Sequence, residues 1–184
     1  AEYSSEFPFK KINTTKKNLL FVFLSQSGET TDTMKVVEMV KAQGYATMAI
    51  VNCKDSKLWN TCDYKMYCDA GPENTIASTK ALSAQFLCSY LLMLKIMEQN
   101  GRNIAAHLSG IKELPQAVEK VLARVNEIEG FGKVLAEYNN VALIGNQIFL
   151  SIAREVSLKI KETSFVNANA YPFGEFMHGH VAVM

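Results

Sequence analysis

FVFLSQSGETTDT, residues 21–33, decides how the chain is read. The run LLFVFL at 19–24 is apolar on both faces and too short for a comfortable helix, as a strand covered on two sides by helices would be. From Thr31 the period changes. Met34, Val37 and Val40 recur at helical spacing, and Gly44 stands where a helix commonly ends. The segment therefore reads as strand, loop, helix. The loop and helix start carry five hydroxyl side chains around one glycine and two acids. One hydroxyl is enough to cap a helix. Several hydroxyls, with a glycine that lets the backbone approach closely, suit a helix start to an anion, which the free amides and dipole attract. Neither the Walker spacing of glycines nor that of a dinucleotide fold is present. On the residues alone, cap and anion site stand level.

The pattern repeats along the chain. ATMAIVN at 46–52 and YKMYC at 64–68 read as further strands, and strands alternating with helical segments imply an α/β fold with a parallel sheet. Beyond the Gly71-Pro72 turn, residues 78–100 form a long helix, apolar nearly all round and so expected to lie buried between layers. Pro115 is expected to open a connecting helix over 115–128. NVALIGN at 140–146 is a second apolar strand ending in glycine, followed by a helix over about 148–162. The expected organisation is a first α/β unit over 1–110, a helical connector over 111–139, and the start of a second unit over 140–184.

The chain has 184 residues, 48% hydrophobic and 20% charged, enough for a sizeable core. Its 19 basic and 18 acidic residues are spread evenly, so no polybasic face points to nucleic acid or to an anionic membrane. The apolar run from Phe86 to Met97 is interrupted by Ser89 and Lys95 and falls short of the roughly 20 residues of a membrane span. The N-terminus lacks the order of a secretory signal, leaving the cytoplasm as the expectation. Cys53, Cys62, Cys68 and Cys88 lack metal-ligand spacing and read as buried, reduced thiols, with no metal and no cofactor implied.

Glu155, Lys159 and Glu162 are spaced by four and three, which places them on one helix face. Such a stripe is most often a solvated set of ion pairs. Val156, Leu158 and Ile160, however, leave little of the helix suited to water, and a half-buried Glu-Lys-Glu face suits proton transfer.

Four motifs in order, S-Q-S-G-E-T at 25–30, A-G-P-E at 70–73, A-S-T-K-A at 77–81 and E-V-S-L-K-I-K-E at 155–162, resemble the sugar isomerase (SIS) family. Within it they look like the isomerase region of the glutamine:fructose-6-phosphate aminotransferases. The resemblance implies a flavodoxin-like three-layer sandwich in tandem units. It implies that Ser25, Gln26, Ser27 and Thr30 hold a sugar phosphate such as fructose 6-phosphate, with Ser78 near the same ligand. It makes Glu162 the residue that moves a proton between C1 and C2 in ketose to aldose isomerisation, oriented by Glu155 and Lys159. His178, in G-E-F-M-H-G-H at 174–180, is the ring-opening histidine by the same resemblance, delivered from a neighbouring subunit, so that a homodimer is implied. His180 stands where the family commonly has proline and receives no role. The first βα unit, the rest of the second unit and the C-terminal tail of the family are expected to lie outside this chain, as would any glutaminase domain. Two other readings remain: a phosphosugar isomerase or sugar-amine deglycase without a glutaminase, and a non-catalytic phosphosugar sensor.

Overall fold

The computed structural model describes residues 2–10 and 18–183. The chain divides into two compact units, Ala1–Ala106 and His107–Met184.

In the first unit the apolar runs become strands β1 (Leu20–Ser25), β2 (Ala46–Val51) and β3 (Tyr64–Tyr67), joined in that order into one parallel sheet. Leu20 pairs with Ala46 through to Ser25 with Val51, and Met48 with Tyr64 through to Val51 with Tyr67. The crossovers are α1 (Thr31–Ala42) and the short α2 (Lys57–Thr61), a helix the sequence reading did not include. Alternation along β2 sorts the core. Ala49 and Val51 pack with Val36, Val37, Val40, Leu58 and Cys62 of the crossover layer, while Met48 and Ile50, buried on the opposite parity, face the side where α3 (Lys80–Gln99) packs on β2. Val37, Val40, Ile50 and Leu58 are fully buried, each stabilising the fold by about 1.5–3 kcal/mol relative to exposure.

The expectation of a buried helix at 78–100 is corrected. α3 starts two residues later and buries only Ala81, Gln85, Cys88 and Leu94, while Phe86, Leu91, Met93 and Ile96 are exposed. At 20 residues it is also long and apolar enough to cross a membrane by length and composition alone. The cysteine expectation holds in part. All four thiols are free and Cys62 and Cys88 are buried, but Cys53 is exposed. Burial, with Cys88 alongside, pushes the Cys68 thiol up to about 12, which leaves it protonated and non-nucleophilic at neutral pH.

In the second unit, α4 (Ala105–Leu122) and α5 (Val125–Leu135) bury no residue. The helix expected to open at Pro115 instead runs through it, although the ring forfeits the bond to the Ile111 carbonyl. The break comes at Ala123-Arg124. β4 (Asn140–Gly145) pairs in parallel with β5 (Asn167–Pro172), and α6 (Gln147–Ser164) crosses between them. Ala153, Ser157 and Ala168 are buried, and the Ser157 hydroxyl donates to the Ala168 carbonyl at 2.9 Å. Val156 and Leu158 of α6 are exposed, so the sequence expectation of little solvent-facing surface on this helix is also corrected. α7 (Phe173–Phe176) follows directly.

Candidate functional site

The turn from β1 into α1 is held open by bonds to its surroundings. The Asn52 amide donates to the Gln26 carbonyl at 3.1 Å and the Leu58 amide to the Gly28 carbonyl at 3.0 Å, which anchors the loop to the end of β2 and the start of α2. Within the loop, the Gly28 amide donates to Ser25 Oγ at 2.9 Å and the Glu29 amide to Ser27 Oγ at 3.2 Å. Gly28 has φ +68°, and a Cβ there would lie 2.2 Å from Ser56 Oγ, so this position requires glycine. The Glu29 carboxylate accepts from the Lys57 amide at 2.8 Å and pairs with its ammonium at 3.2 Å. Together with the Lys57 ammonium bond, that backbone bond, the larger influence, holds the Glu29 carboxyl below its usual range.

The capping alternative for Ser25, Ser27 and Thr30 is not met by this geometry. Two of the hydroxyls close turns inside the loop, and Thr30, at the cap position with non-helical backbone, makes no side-chain cap bond. The first amides of α1, which have no intrahelical acceptor, are left without a side-chain cap.

A cavity of about 450 Å³ opens at this helix start, lined by Ser25, Gln26, Thr30 and Thr33 on one side and by Ser78, Leu82 and Gln85 of the α3 segment on another. Residues 2–5 complete the wall. Four of the five expected phosphate contacts thus meet at one cavity. Ser27 does not line it, its hydroxyl being turned to Glu29. No lysine or arginine among the described residues lines the cavity, and its two carboxylates are paired outward, Glu2 with Lys10 at 2.6 Å and Asp32 with Lys35 at 3.5 Å. The donors are neutral. An anion held there is held by amides and hydroxyls.

The start of α3 is already served by an internal anion. Glu73 accepts from the Thr79 amide at 2.8 Å, from Thr79 Oγ1 at 3.0 Å and from Ser78 Oγ at 2.9 Å. The Thr79 amide bond is the main reason its carboxyl stays below the usual range. Ser78 reaches the cavity with its hydroxyl proton committed to Glu73, so α1, not α3, offers the open helix start. Sequence reasoning missed Glu73 as a cap because it stands seven residues before the helix.

The second unit carries an ion triad on a helix face. Lys159 Nζ lies 3.2 Å from Glu155 Oε1 and 3.0 Å from Glu162 Oε2, with the three side chains between 22% and 32% exposed. Burial pulls the Lys159 ammonium down, but bonds to Glu162 and then Glu155 outweigh it and raise its pKa, so it remains charged between the two carboxylates. This is a half-buried ion triad, not a fully solvated stripe. His178 is exposed just beyond α7, its amide donating to the Glu175 carbonyl at 3.0 Å, and the His180 ring stacks on Tyr171 at 4.4 Å.

Comparison with known proteins gives this geometry a lineage. Residues 1–95 match the SIS domain family. The whole chain is 35% identical to glutamine–fructose-6-phosphate aminotransferase [isomerizing] of Corynebacterium glutamicum and 36% identical to that of Thermotoga maritima, covering 30% of the length of each. It also superimposes on the C-terminal domain of glucosamine-fructose-6-phosphate aminotransferase from Francisella tularensis with a TM-score of 0.90, at 31% identity, over 99% of this chain and 52% of that one.

Proposed function

The chain belongs to the SIS domain family, and from that premise we propose that it is a phosphosugar-binding isomerase region that takes fructose 6-phosphate. The observation that carries this reading is the meeting of Ser25, Gln26, Thr30 and Ser78 at one cavity beside the open start of α1. A volume of about 450 Å³ lies within the range of small-molecule sites. Phosphoryl oxygens would take the free first-turn amides and the Thr30 hydroxyl, with Gln26 at the rim. Ser27 acts one step back, holding the Glu29 amide and hence the loop's shape.

In the second unit, Glu162 moves the proton between C1 and C2 of the sugar, and Lys159 and Glu155 set its charge environment. Taking a proton from carbon and returning it to the neighbouring carbon requires a carboxylate that is oriented and partly shielded from water. The ion triad supplies both conditions. It also favours an enzyme over a non-catalytic sensor, which needs a phosphate site but no proton shuttle. His178 opens the sugar ring, its imidazole offering one nitrogen to donate and one to accept a proton. It does so from a second copy of the chain in a homodimer.

The chain spans about 30% of the length of the curated relatives it matches. The activity named for those relatives supports a parent protein that forms glucosamine 6-phosphate from fructose 6-phosphate in the cytoplasm, with the amino donor released by a glutaminase domain elsewhere in it. The test is product analysis on the intact parent protein with fructose 6-phosphate and either glutamine or ammonia. Glucosamine 6-phosphate is expected. Its absence with both donors would overturn the reading.

A further inference from the structure

Gln85 stands out in the first unit. It is 8% exposed, lies on α3, and its Nε2 is the one buried side-chain polar atom without a hydrogen-bond partner among the described residues. Burying an unpaired amide N–H costs stability, so such groups are rare unless something else satisfies them. The residue also lines the cavity of Ser25, Gln26 and Thr30. Leu82 and Gln85, three residues apart on α3, share the helix face that lines it, and Ser78 lies just before the N-cap. Gln85 stands five residues, about 7.5 Å, beyond the first residue of α3, and side chains on a helix lean back toward its N-terminus. Its carboxamide is thus the polar group that α3 presents to a cavity lined on another side by the hydroxyl loop.

We propose that Gln85 is a ligand-binding residue of this site, its side-chain amide donating a hydrogen bond to an oxygen of the bound sugar phosphate. The inference rests on the phosphosugar reading of the cavity and adds a residue that none of the loop motifs contains. Among the described residues Nε2 has no partner that would hold the N–H₂ in one orientation. Rotation about χ3, a broad torsion in glutamine, turns the N–H₂ toward the cavity. An acceptor oxygen there satisfies a donor that is otherwise buried and unpaired, so ligand binding relieves a cost carried by the empty site. The acceptor is a phosphoryl oxygen or a sugar hydroxyl, both of which present the same chemistry to an amide.

The test is calorimetric titration of the full chain with fructose 6-phosphate, with inorganic phosphate as a second probe, on the wild type, Gln85→Met, Gln85→Glu and Thr30→Ala. Gln85→Met keeps length and bulk without a donor. It should bind fructose 6-phosphate about tenfold more weakly, the usual worth of one hydrogen bond whose loss strands the partner, while the ligand-free protein unfolds at the same or a higher temperature. Gln85→Glu, which cannot donate when ionised and repels a phosphoryl group, should bind more weakly still. A matching loss for inorganic phosphate places the donor on the phosphoryl group. A loss confined to fructose 6-phosphate places it on a sugar hydroxyl, and both support the inference. If Thr30→Ala weakens binding and both Gln85 variants bind as the wild type does, the Gln85 inference is overturned and the phosphosugar reading stands. If the wild type fails to bind fructose 6-phosphate, both fall together.

Discussion

The turns β1–α1 and β4–α6 look alike in sequence, each an apolar strand, a glycine and a helix, yet the two glycines serve opposite ends. Gly28 sits in the left-handed region against Ser56, and the turn around it spreads over five residues braced by α2. That leaves a cavity in front of α1. Gly145 ends its strand under the first turn of α6, where a Cβ would lie 2.7 Å from the backbone of Phe149 and Leu150. The helix comes straight down on the strand. In the proposed reading the first turn receives an anion, whereas the second unit carries its ion triad, Glu155, Lys159 and Glu162, two turns and more along the helix. A strand–glycine–helix signature reports the fold of both units and, in the proposed reading, the ligand site of only one.

The sharpest way to break this division is Glu162→Gln in the intact parent protein. Loss of a general acid–base group should lower turnover by about 10²–10⁴-fold while fructose 6-phosphate binds as before. A loss of binding without a change in turnover at saturation would reverse the roles of the two regions. Next, Gly28→Ala and Gly145→Ala should each destabilise their unit by about 2–3 kcal/mol in denaturant unfolding, one through the φ and the Ser56 clash, the other through backbone contact. Only Gly28→Ala should also abolish phosphosugar binding.

Smaller effects separate residues within the loop. Thr30→Ala should weaken fructose 6-phosphate binding about five- to tenfold, and Ser27→Ala, whose hydroxyl faces Glu29 and not the cavity, by less. Equal losses would mean that the loop turns over on binding. The smallest expected effect concerns the scaffold. Asp63 accepts from Lys41 at 2.7 Å and from the Thr47 hydroxyl and amide at 2.8 and 2.9 Å, which holds its carboxyl at about 2, with the Lys41 bond the main cause. A carboxyl lowered on folding stabilises above its unfolded value of about 4 and loses that contribution as the pH falls toward 2. Asp63→Asn should therefore unfold more readily than the wild type at neutral pH, and the two should converge between pH 4 and 2.

The parts of the fold legible in the sequence were those whose hydrophobic period is strong. β1, α1, β2, β3 and β4 fall within a residue or two of their apolar runs. β5 was missed because NANAYP has almost no β-branched or large apolar content; pairing with β4, a buried Ala168 and an Asn140–Asn167 side-chain bond at 2.8 Å make it a strand. α2 escaped because five residues carry too little periodicity, and only Ser56, accepting from the Trp59 amide at 3.3 Å, marks its start. At the site, the hydroxyl loop was legible as a group, but which hydroxyls face the cavity was not. That depends on bonds to Asn52, Leu58 and Glu29, whose geometry no spacing encodes. Gln85 carried no signal at all, being a polar residue inside an apolar helix until its neighbours across the cavity are known.

The central claim is that neutral donors at the start of α1 hold the phosphate of a sugar phosphate. Its most direct measurement is a titration of the full chain with fructose 6-phosphate and with fructose, followed by amide chemical shifts. The account expects saturable binding of fructose 6-phosphate, with the largest shifts at the amides of residues 26–33, and no binding of fructose at the same concentrations. Equal responses to the two sugars, or shifts that leave residues 26–33 untouched, would contradict it.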